Sequence, residues 1–309
     1  MIIKFYKHRF IYFVISICLI LSGVIAAFAN GIQLDIQFKG GTIIKYTYTG
    51  TIDAEQAGNI VEQSLGRTTN CQLQSNLAKD EQMLIVSLAS NEALSSQEQE
   101  TVSSSLTQAF PNANLALSES LTVEPFIGNR FFINGMIAIG LSFFLILVYV
   151  GFRFRNIGGL SAGTMAIVAL VHDVLIVTAV FIVFKIPLND SFIAAALAII
   201  GFSINDTIVI YDRIRENDRL LGKKTSVEDL VDTSISQSMM RSINTNIAVF
   251  VSITIVYIFA QIYDIESIRN FALPMMFGTI SGCYSTICIA GPLWAMWQNH
   301  KIKAKTENV

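Results

Sequence analysis

Apolar residues collect in six long runs along the chain, at about 10–29, 131–150, 160–184, 191–211, 243–262 and 270–297. An α-helix needs about 20 such residues to cross a hydrocarbon core of ~30 Å. The first run is longer than the apolar region of a usual secretory signal, and AAFANG is a weak cleavage site, so we expect this run to be retained. The pattern predicts an α-helical membrane protein with six transmembrane helices.

A different pattern, the alternation typical of strands, occupies residues 30–130. IQLDIQF and TIIKYTYT alternate around Gly40 and Gly41, which most simply permit a sharp turn. NCQLQSNL and QMLIVSLA predict a hairpin, and NLALSESLTV predicts a last strand. Two helices are expected between these strands, the first capped by Asp53 and the second stopped by Pro111. The order β-α-β-β-α-β predicts a ferredoxin-like α+β domain inserted between spans one and two.

The charge distribution predicts the orientation. Only 14% of the residues are charged, whereas soluble domains contain about a quarter. Of the 21 Lys and Arg residues, fourteen lie on the side of the spans that holds both termini, and seven lie on the other side. The positive-inside rule therefore places residues 1–9 and 298–309 in the cytoplasm and residues 30–130 outside it.

Residues 212–240 form the one sizeable cytoplasmic loop that the pattern predicts. Within it, SVEDLVDTSISQSMM begins with a capping pair, Ser226 and Asp229, and places Val227 and Leu230 on one apolar face. This predicts an amphipathic helix. Such a helix either lies along the inner membrane surface or packs on the neighbouring spans.

Two carboxylates lie well inside the apolar runs, Asp173 in the third and Asp206 in the fourth. A charge within lipid costs at least ~2.5 kcal/mol, so such an aspartate must be protonated, paired or in contact with water. At ~1.5 Å per residue, Asp173 lies near the midplane and Asp206 lies near the inner end of its helix. Arg241 stands at the inner mouth of span five, from which its side chain could reach Asp206. We interpret Asp206, Arg241 and Asp173 as a candidate proton relay, with His172 as a further candidate.

Three neutral polar residues, Ser203, Asn205 and Thr207, lie around the fourth-span carboxylate and are candidate supporting groups that hold water. A carboxylate whose proton affinity changes as an arginine approaches or withdraws can take up and release protons. Simpler interpretations stay open. Arg241 could be only a positive-inside anchor, and Asp206 could be a structural hydrogen-bonding group between helices.

The sequence gives little support to an enzyme. Intramembrane aspartyl proteases pair a YD motif with GxGD, but Tyr211-Asp212 lies at the membrane edge and GxGD is absent. P-loop, HExxH and GxSxG motifs are absent as well. The four cysteines have no paired metal-ligand spacing. We therefore expect no catalytic residue, no metal, no cofactor and no nucleic-acid partner.

The block IIGFSINDTIVIYDRIREN (199–217) resembles the fourth-span signature of the SecD/SecF family of bacterial protein-export membrane proteins. The resemblance continues through SISQSMMRSINTN, ESIRNFALPMMFGTISGCYST and FKGGT. It covers essentially the whole chain, although the outer domain is matched only in pattern. Within the family pattern, Asp206 matches the fourth-span aspartate, Arg241 the fifth-span arginine and Asp173 a third-span His-Asp position. Gln37 stands where many relatives have an aspartate.

The resemblance implies a resistance-nodulation-division fold in which six spans form half of a pseudosymmetric pair. The implied partners are a SecD-like half, the SecYEG channel, YajC, a translocating unfolded polypeptide and membrane lipid. The implied function is an accessory subunit of the Sec translocase that uses the proton motive force in the late, ATP-independent stage of export. Two alternatives remain: a small-molecule or ion-coupled exporter of the same fold, and a non-transporting scaffold of the translocase.

Overall fold

The computed structural model describes residues 2–35, 38, 40–67, 69–76, 81–89, 94–123, 125–221, 225–263 and 265–307. In chain order the elements are α1 (Arg9–Asn30), β1 (Gly41–Tyr48), α2 (Ala54–Leu65), β2 (Thr69–Asn76), β3 (Glu81–Ala89), α3 (Ser96–Ala109), β4 (Ala116–Val123), α4 (Pro125–Arg153), α5 (Gly159–Val183), α6 (Asp190–Leu221), α7 (Val227–Ile262), α8 (Glu266–Ser285) and α9 (Gly291–Glu307). A π-helical turn, Thr286–Ala290, joins α8 to α9.

The predicted six-span fold is confirmed. Among the described residues, six segments are long and apolar enough to cross a membrane. They contain five of the predicted runs, and the third ends at Val183, one residue before the predicted end at 184. The segments are Tyr6–Asn30, Gly128–Arg153, Gly159–Val183, Asp190–Leu221, Val227–Ile262 and Ser267–Ala304.

Residues between α1 and α4 form the predicted β-α-β-β-α-β domain. Its four strands make one antiparallel sheet in the order β2-β3-β1-β4. Alternate residues of β1 and β3, such as Ile44 and Leu84, face α2 and α3 and are fully buried. Val61 of α2 and Val102 of α3 complete this core. The domain therefore has a hydrophobic core of its own, separate from the cores of the membrane bundle.

Local capping explains where the two helices of this domain begin and end. The Asp53 carboxylate accepts hydrogen bonds from the backbone N–H groups of Glu55 and Gln56, as predicted for an N-cap. Gly66 ends α2 with a positive φ of 64°. The α3 helix starts with a capping box between Ser95 and Glu98 that the sequence analysis missed.

The prediction that IQLDIQF forms a strand of the sheet is wrong. Within IQLDIQF, the described residues do not join the sheet, and Leu34 makes only an isolated parallel bridge to Leu188 in the connection between α5 and α6. Phe38 is buried against Phe181 and Phe192 of the membrane bundle. The alternating pattern of this segment thus reflects its contact with the top of the bundle. Gln37 lies outside the described residues.

The predicted turn at Gly40 and Gly41 lies between this docked segment and β1. Both glycines have positive φ angles, 80° and 144°, which other residues rarely adopt. The chain can therefore leave the bundle surface and enter the sheet within two residues.

Two glycine pairs bring spans into close contact. A Cβ atom on Gly159 would lie 2.1 Å from the backbone oxygen of Gly151, and one on Gly163 would lie 2.9 Å from Leu147, so α5 packs tightly on α4. A Cβ on Gly278 would lie 2.6 Å from Ile199, and one on Gly282 would lie 3.2 Å from Ser203. These small residues let α8 approach α6 closely.

The predicted cytoplasmic loop at 212–240 is largely helical and continuous with the spans, and the prediction of a surface-lying helix is wrong. The α6 helix continues to Leu221, and α7 runs unbroken from Val227 into span five. Its amphipathic start packs on neighbouring spans, because Val231 and Ile235 are fully buried in one cluster with residues of α4, α6 and α9. The side chain of Ser226 caps the helix by accepting from the Asp229 N–H, as predicted.

The capping box of α3 makes a local stability prediction. Replacing Ser95 with Ala removes the hydroxyl that accepts from the Glu98 N–H, which should cost ~1 kcal/mol. Hydrogen–deuterium exchange of the full chain should show exchange roughly fivefold faster in the first turn of α3. Ser104→Ala, an exposed change in the middle of the same helix, should not accelerate that turn. Equal exchange in both variants would contradict the capping role.

The thiol of Cys71 makes a chemical prediction about the outer domain. Burial against the core raises the pKa of the Cys71 thiol from 9.0 to about 12, so at neutral pH its thiolate is roughly a thousandfold scarcer than usual. Maleimide labelling followed by peptide mapping should leave Cys71 unmodified in the folded chain and label it in urea. An exposed thiol introduced by Ser104→Cys should react without urea. Rapid labelling of Cys71 in the folded chain would contradict the burial of its thiol.

Candidate functional site

Asp173 lies in the middle of α5, is completely buried, and is surrounded by hydroxyl groups. Its Oδ2 accepts hydrogen bonds from Ser203 of α6 and Ser285 of α8, each at 2.7 Å. Its Oδ1 accepts one from Ser281 of α8 at 2.6 Å and lies 3.1 Å from Nδ1 of His172. These donors compensate the desolvation of the carboxylate, so Asp173 connects three helices.

The packing of α8 explains why two of these serines reach one carboxylate. Ser281 and Ser285 are four residues apart and therefore lie on the same helix face. The contact of Gly282 with Ser203 draws this face against α6. The four residues Asp173, Ser203, Ser281 and Ser285 are named the hydroxyl cage below.

Asp206 lies on the same helix as Ser203, one turn further along, and is only 4% exposed. Its Oδ2 accepts a hydrogen bond from Nδ2 of Asn246 on α7. Its Oδ1 accepts no hydrogen bond from the described residues. One oxygen is thus fixed by span five, and the other has no hydrogen-bond partner among the described residues.

Arg241 begins the turn of α7 that precedes Asn246 and is exposed. Its guanidinium lies near enough to interact electrostatically with Asp206. Among the ion pairs of the described residues, however, none joins the two side chains. Arg241 therefore stands beside the carboxylate, while Asn246 makes the direct contact.

Two further hydroxyls, those of Thr207 and Thr286, lie next to the hydroxyl cage. The hydroxyl of Thr207 donates to the backbone oxygen of Ser203 at 3.1 Å and lies 3.1 Å from the hydroxyl of Thr286. Thr286 opens the π-helical turn between α8 and α9. π-turns inside helices occur frequently at functional sites, and this one brings a further hydroxyl to α6. These two hydroxyls extend the hydroxyl cage along α6 to the turn that carries Asp206.

The structure brings most of the predicted site residues together. Asp173, Ser203 and Thr207 lie in or next to the hydroxyl cage, and Asp206 lies one turn along α6 with Arg241 nearby. Asn205 does not join them, because its side chain is exposed on another face of α6. The role of these residues in proton transfer stays a prediction.

Four residues of the site were missed in the sequence, namely Asn246, Ser281, Ser285 and Thr286. All four are polar residues within apolar spans, where side chains of this type usually face the bundle interior. The SGCYS stretch also shows the four-residue spacing of its two serines. This signal was available, but spacing alone did not identify the carboxylate that they bind.

The two carboxylates differ in what they can do chemically. Asp173 accepts hydrogen bonds at both oxygens from three hydroxyl groups, an arrangement that fixes its position. Asp206 has one amide donor, a nearby cation and one oxygen without a hydrogen bond from the described residues. Asp173 is therefore saturated with donors, whereas Asp206 is not.

Comparison with known proteins assigns the family. The model of the family described as "Protein export membrane protein SecD/SecF, C-terminal" matches residues 97–300. The chain belongs to this SecD/SecF family. The resemblance found in the sequence motifs is thereby confirmed.

Relatives match nearly the whole chain. The protein translocase subunit SecF of Sebaldella termitidis is 31% identical over 305 residues, covering 99% of this chain and 95% of the relative. The subunit of the same name from Helicobacter pylori strain J99 is 34% identical over 294 residues, covering 94% of this chain and 85% of the relative. The outer domain is therefore included in the likeness.

Solved structures share the fold. SecDF from Thermus thermophilus, described as a translocon-associated membrane protein, superposes with a TM-score of 0.78 at 27% identity and covers 97% of this chain. SecDF in a super-membrane-facing form gives a TM-score of 0.72 at 27% identity and covers the whole chain. This chain spans only 39% and 40% of those two proteins.

The hydroxyl cage makes a stability prediction. Replacing Asp173 with Ala leaves three buried hydroxyls without their acceptor, which should lower the free energy of unfolding by roughly 2 kcal/mol or more. Thermal unfolding of the full chain in detergent should therefore occur several degrees lower. Asp212→Ala is the matched control, because Asp212 forms only exposed ion pairs, which contribute little. If both variants unfold at the same temperature, the cage does not hold the helices together.

Proposed function

We propose that the protein is an accessory subunit of the Sec translocase in the bacterial cytoplasmic membrane and couples proton movement to polypeptide export. The observation that carries this proposal is the buried carboxylate of Asp206, fixed on one oxygen by Asn246 and without a hydrogen bond from the described residues on the other. Family membership supports the export role, since the relatives are named protein translocase subunits. The proposed partners are a SecD-like half, the SecYEG channel and YajC, with an unfolded polypeptide as the substrate.

The coupling step follows from the contacts of Asp206. In the charged state, the carboxylate attracts the Arg241 guanidinium and accepts from the Asn246 amide, and both of these groups belong to α7. Protonation removes the charge and weakens both attractions. Span five can then shift relative to span four, whereas the hydroxyl cage keeps α5, α6 and α8 together. Release of the proton restores the first arrangement.

The fold offers a route from this movement to the outer domain. The β4 strand ends at Val123 and α4 begins at Pro125, so the sheet is joined almost directly to span two. On the other side, Phe38 anchors the entry of the domain on α5 and α6. In the proposed orientation both termini are cytoplasmic and the α+β domain is outside, where it acts on the emerging polypeptide.

The energy available limits the size of each step. One proton that crosses a potential of ~100 mV releases about 2.3 kcal/mol. This is enough to bias two arrangements of a domain, but it is below the 5–15 kcal/mol that typically stabilise a folded protein. The proposed function is therefore late-stage movement of an already unfolded chain in repeated small steps, independent of ATP.

Replacing Asp206 with Asn tests the proposal. The amide is nearly isosteric but cannot take up a proton, so assembly with the partner half should persist while stimulation of export by a proton gradient is lost. Export of a preprotein into membrane vesicles, measured under separate H⁺ and Na⁺ gradients, provides the readout. Asp212→Asn, a carboxylate-to-amide change at the exposed end of the same helix, is the matched control and should keep the stimulation.

The outcomes separate the alternatives. Normal gradient-driven export by Asp206→Asn would show that Asp206 carries no coupled proton and that the protein acts as a scaffold. Gradient-driven export of small molecules without any effect on preproteins would indicate an exporter instead. Stimulation by an Na⁺ gradient alone would show that the coupled ion at this carboxylate is Na⁺ and not a proton.

A further inference from the structure

A groove opens between helix ends on the side of the bundle that holds both termini. It encloses about 510 Å³ and lies between the end of α4, the start of α5 and the C-terminal part of α9. We name it the interfacial groove. The lining residues that matter here are Arg155, Gly158, Ser161, Thr164, Trp297 and Lys301.

Two cationic side chains line the groove. Arg155 and Lys301 are both exposed, and neither forms an ion pair with a carboxylate of the described residues. Three other arginines at this end are paired, Arg153 with Asp212, Arg213 with Glu216, and Arg215 with Asp212, so their charges are partly compensated. The start of α5, which has no side-chain cap, adds the positive end of a helix dipole to the same groove. The interfacial groove therefore attracts an anion.

The surroundings of the groove place it at the boundary between lipid and water. Trp297 is 50% exposed, and tryptophan concentrates at that boundary in membrane proteins. Leu160, at the start of span three, is 73% exposed, and Met165 continues the apolar surface one turn further into the span. A molecule in the groove thus meets cations at its outer end and an apolar surface toward the membrane.

The shape of the groove is built into the backbone. Gly158 has a positive φ of 86°, and Gly159 packs against the Gly151 backbone, so the chain turns sharply from α4 into α5. The Gln298 amide donates to the Ile157 oxygen at 3.0 Å and to the Ser161 hydroxyl at 3.2 Å. This amide holds α9 against the turn, so that Arg155 after α4 and Lys301 of α9 line the same preformed space.

We propose that the interfacial groove binds the phosphate headgroup of an anionic glycerophospholipid. Arg155 and Lys301 contact the phosphate, Trp297 lies beside the glycerol region, and an acyl chain runs along Leu160 and Met165. Free inorganic phosphate has the same charged group, but it would gain nothing from this apolar surface. The lipid is therefore the occupant that fits the whole groove. This site is independent of the proton coupling proposed for Asp206.

Native mass spectrometry of the full chain in a neutral detergent tests the assignment. Dioleoylphosphatidylglycerol and dioleoylphosphatidylcholine are titrated separately, and the wild-type chain should retain the anionic lipid selectively. Arg155→Gln combined with Lys301→Gln should weaken phosphatidylglycerol binding roughly 30-fold. The conservative pair Arg155→Lys and Lys301→Arg should keep it. Millimolar inorganic phosphate should not displace the lipid.

A charge-matched control separates a site from general surface attraction. Lys7→Gln combined with Lys303→Gln removes two exposed charges at the same end, and Lys303 points about 200° around α9 from Lys301. This control should bind phosphatidylglycerol as the wild type does. Equal loss in both double variants would overturn the proposal, because the attraction would then be diffuse. Displacement by phosphate would overturn the lipid assignment.

If the chain with Arg155→Gln and Lys301→Gln does not fold, a second variant still tests the proposal. Leu160→Glu changes an exposed position, so it leaves the packing intact and places a negative charge at the edge of the groove. It should abolish the preference for phosphatidylglycerol over phosphatidylcholine. A folded Leu160→Glu chain that keeps the full preference would show that the lipid binds elsewhere.

Discussion

The desolvation of one carboxylate organises the membrane bundle. An aspartate in the middle of a span is costly unless donors surround it, and Asp173 is surrounded by hydroxyls from two other helices. The serines must converge on one point, and this requires α5, α6 and α8 to be close together. The glycines at 278 and 282 make that approach sterically possible. Removing either the donors or the glycines would separate the same three spans.

The second carboxylate, Asp206, lies on one of these three helices but contacts a fourth. Asp206 projects from the same α6 but is held across to α7, a helix that is little buried along its membrane-spanning part. A change of charge at Asp206 therefore acts on the contact between the helices that the hydroxyl cage joins and a helix outside that group. The π-helical turn next to Thr207 adds a local irregularity at the same level of the bundle. Two aspartates one helix apart thus serve different purposes, because one is saturated with hydrogen-bond donors and the other is not.

The outer domain and the bundle are connected through short, defined contacts. The sheet encloses its own core with α2 and α3, while Phe38 belongs to the membrane core. A domain that folds on its own core and is joined by a docked segment and a direct strand-to-helix connection can move as a unit with the spans that carry it. The cations of the interfacial groove lie at the opposite end, where a bound lipid would hold α4, α5 and α9 against the membrane surface.

The sequence by itself determined the six spans, the β-α-β-β-α-β order, the capping at Asp53 and the two costly aspartates, because apolar length, alternation and the expense of buried charge are local properties. It did not determine which groups neutralise those aspartates. Hydroxyl and amide side chains are common in spans, and only packing decided that Ser281 and Ser285 bind Asp173 and that Asn246, rather than Arg241, contacts Asp206. The alternating segment before Gly40 was misassigned for a related reason, since residues that alternate can pair in a sheet or dock on a bundle. The choice between these outcomes depends on contacts more than 100 residues away along the chain, as the Leu34–Leu188 bridge shows.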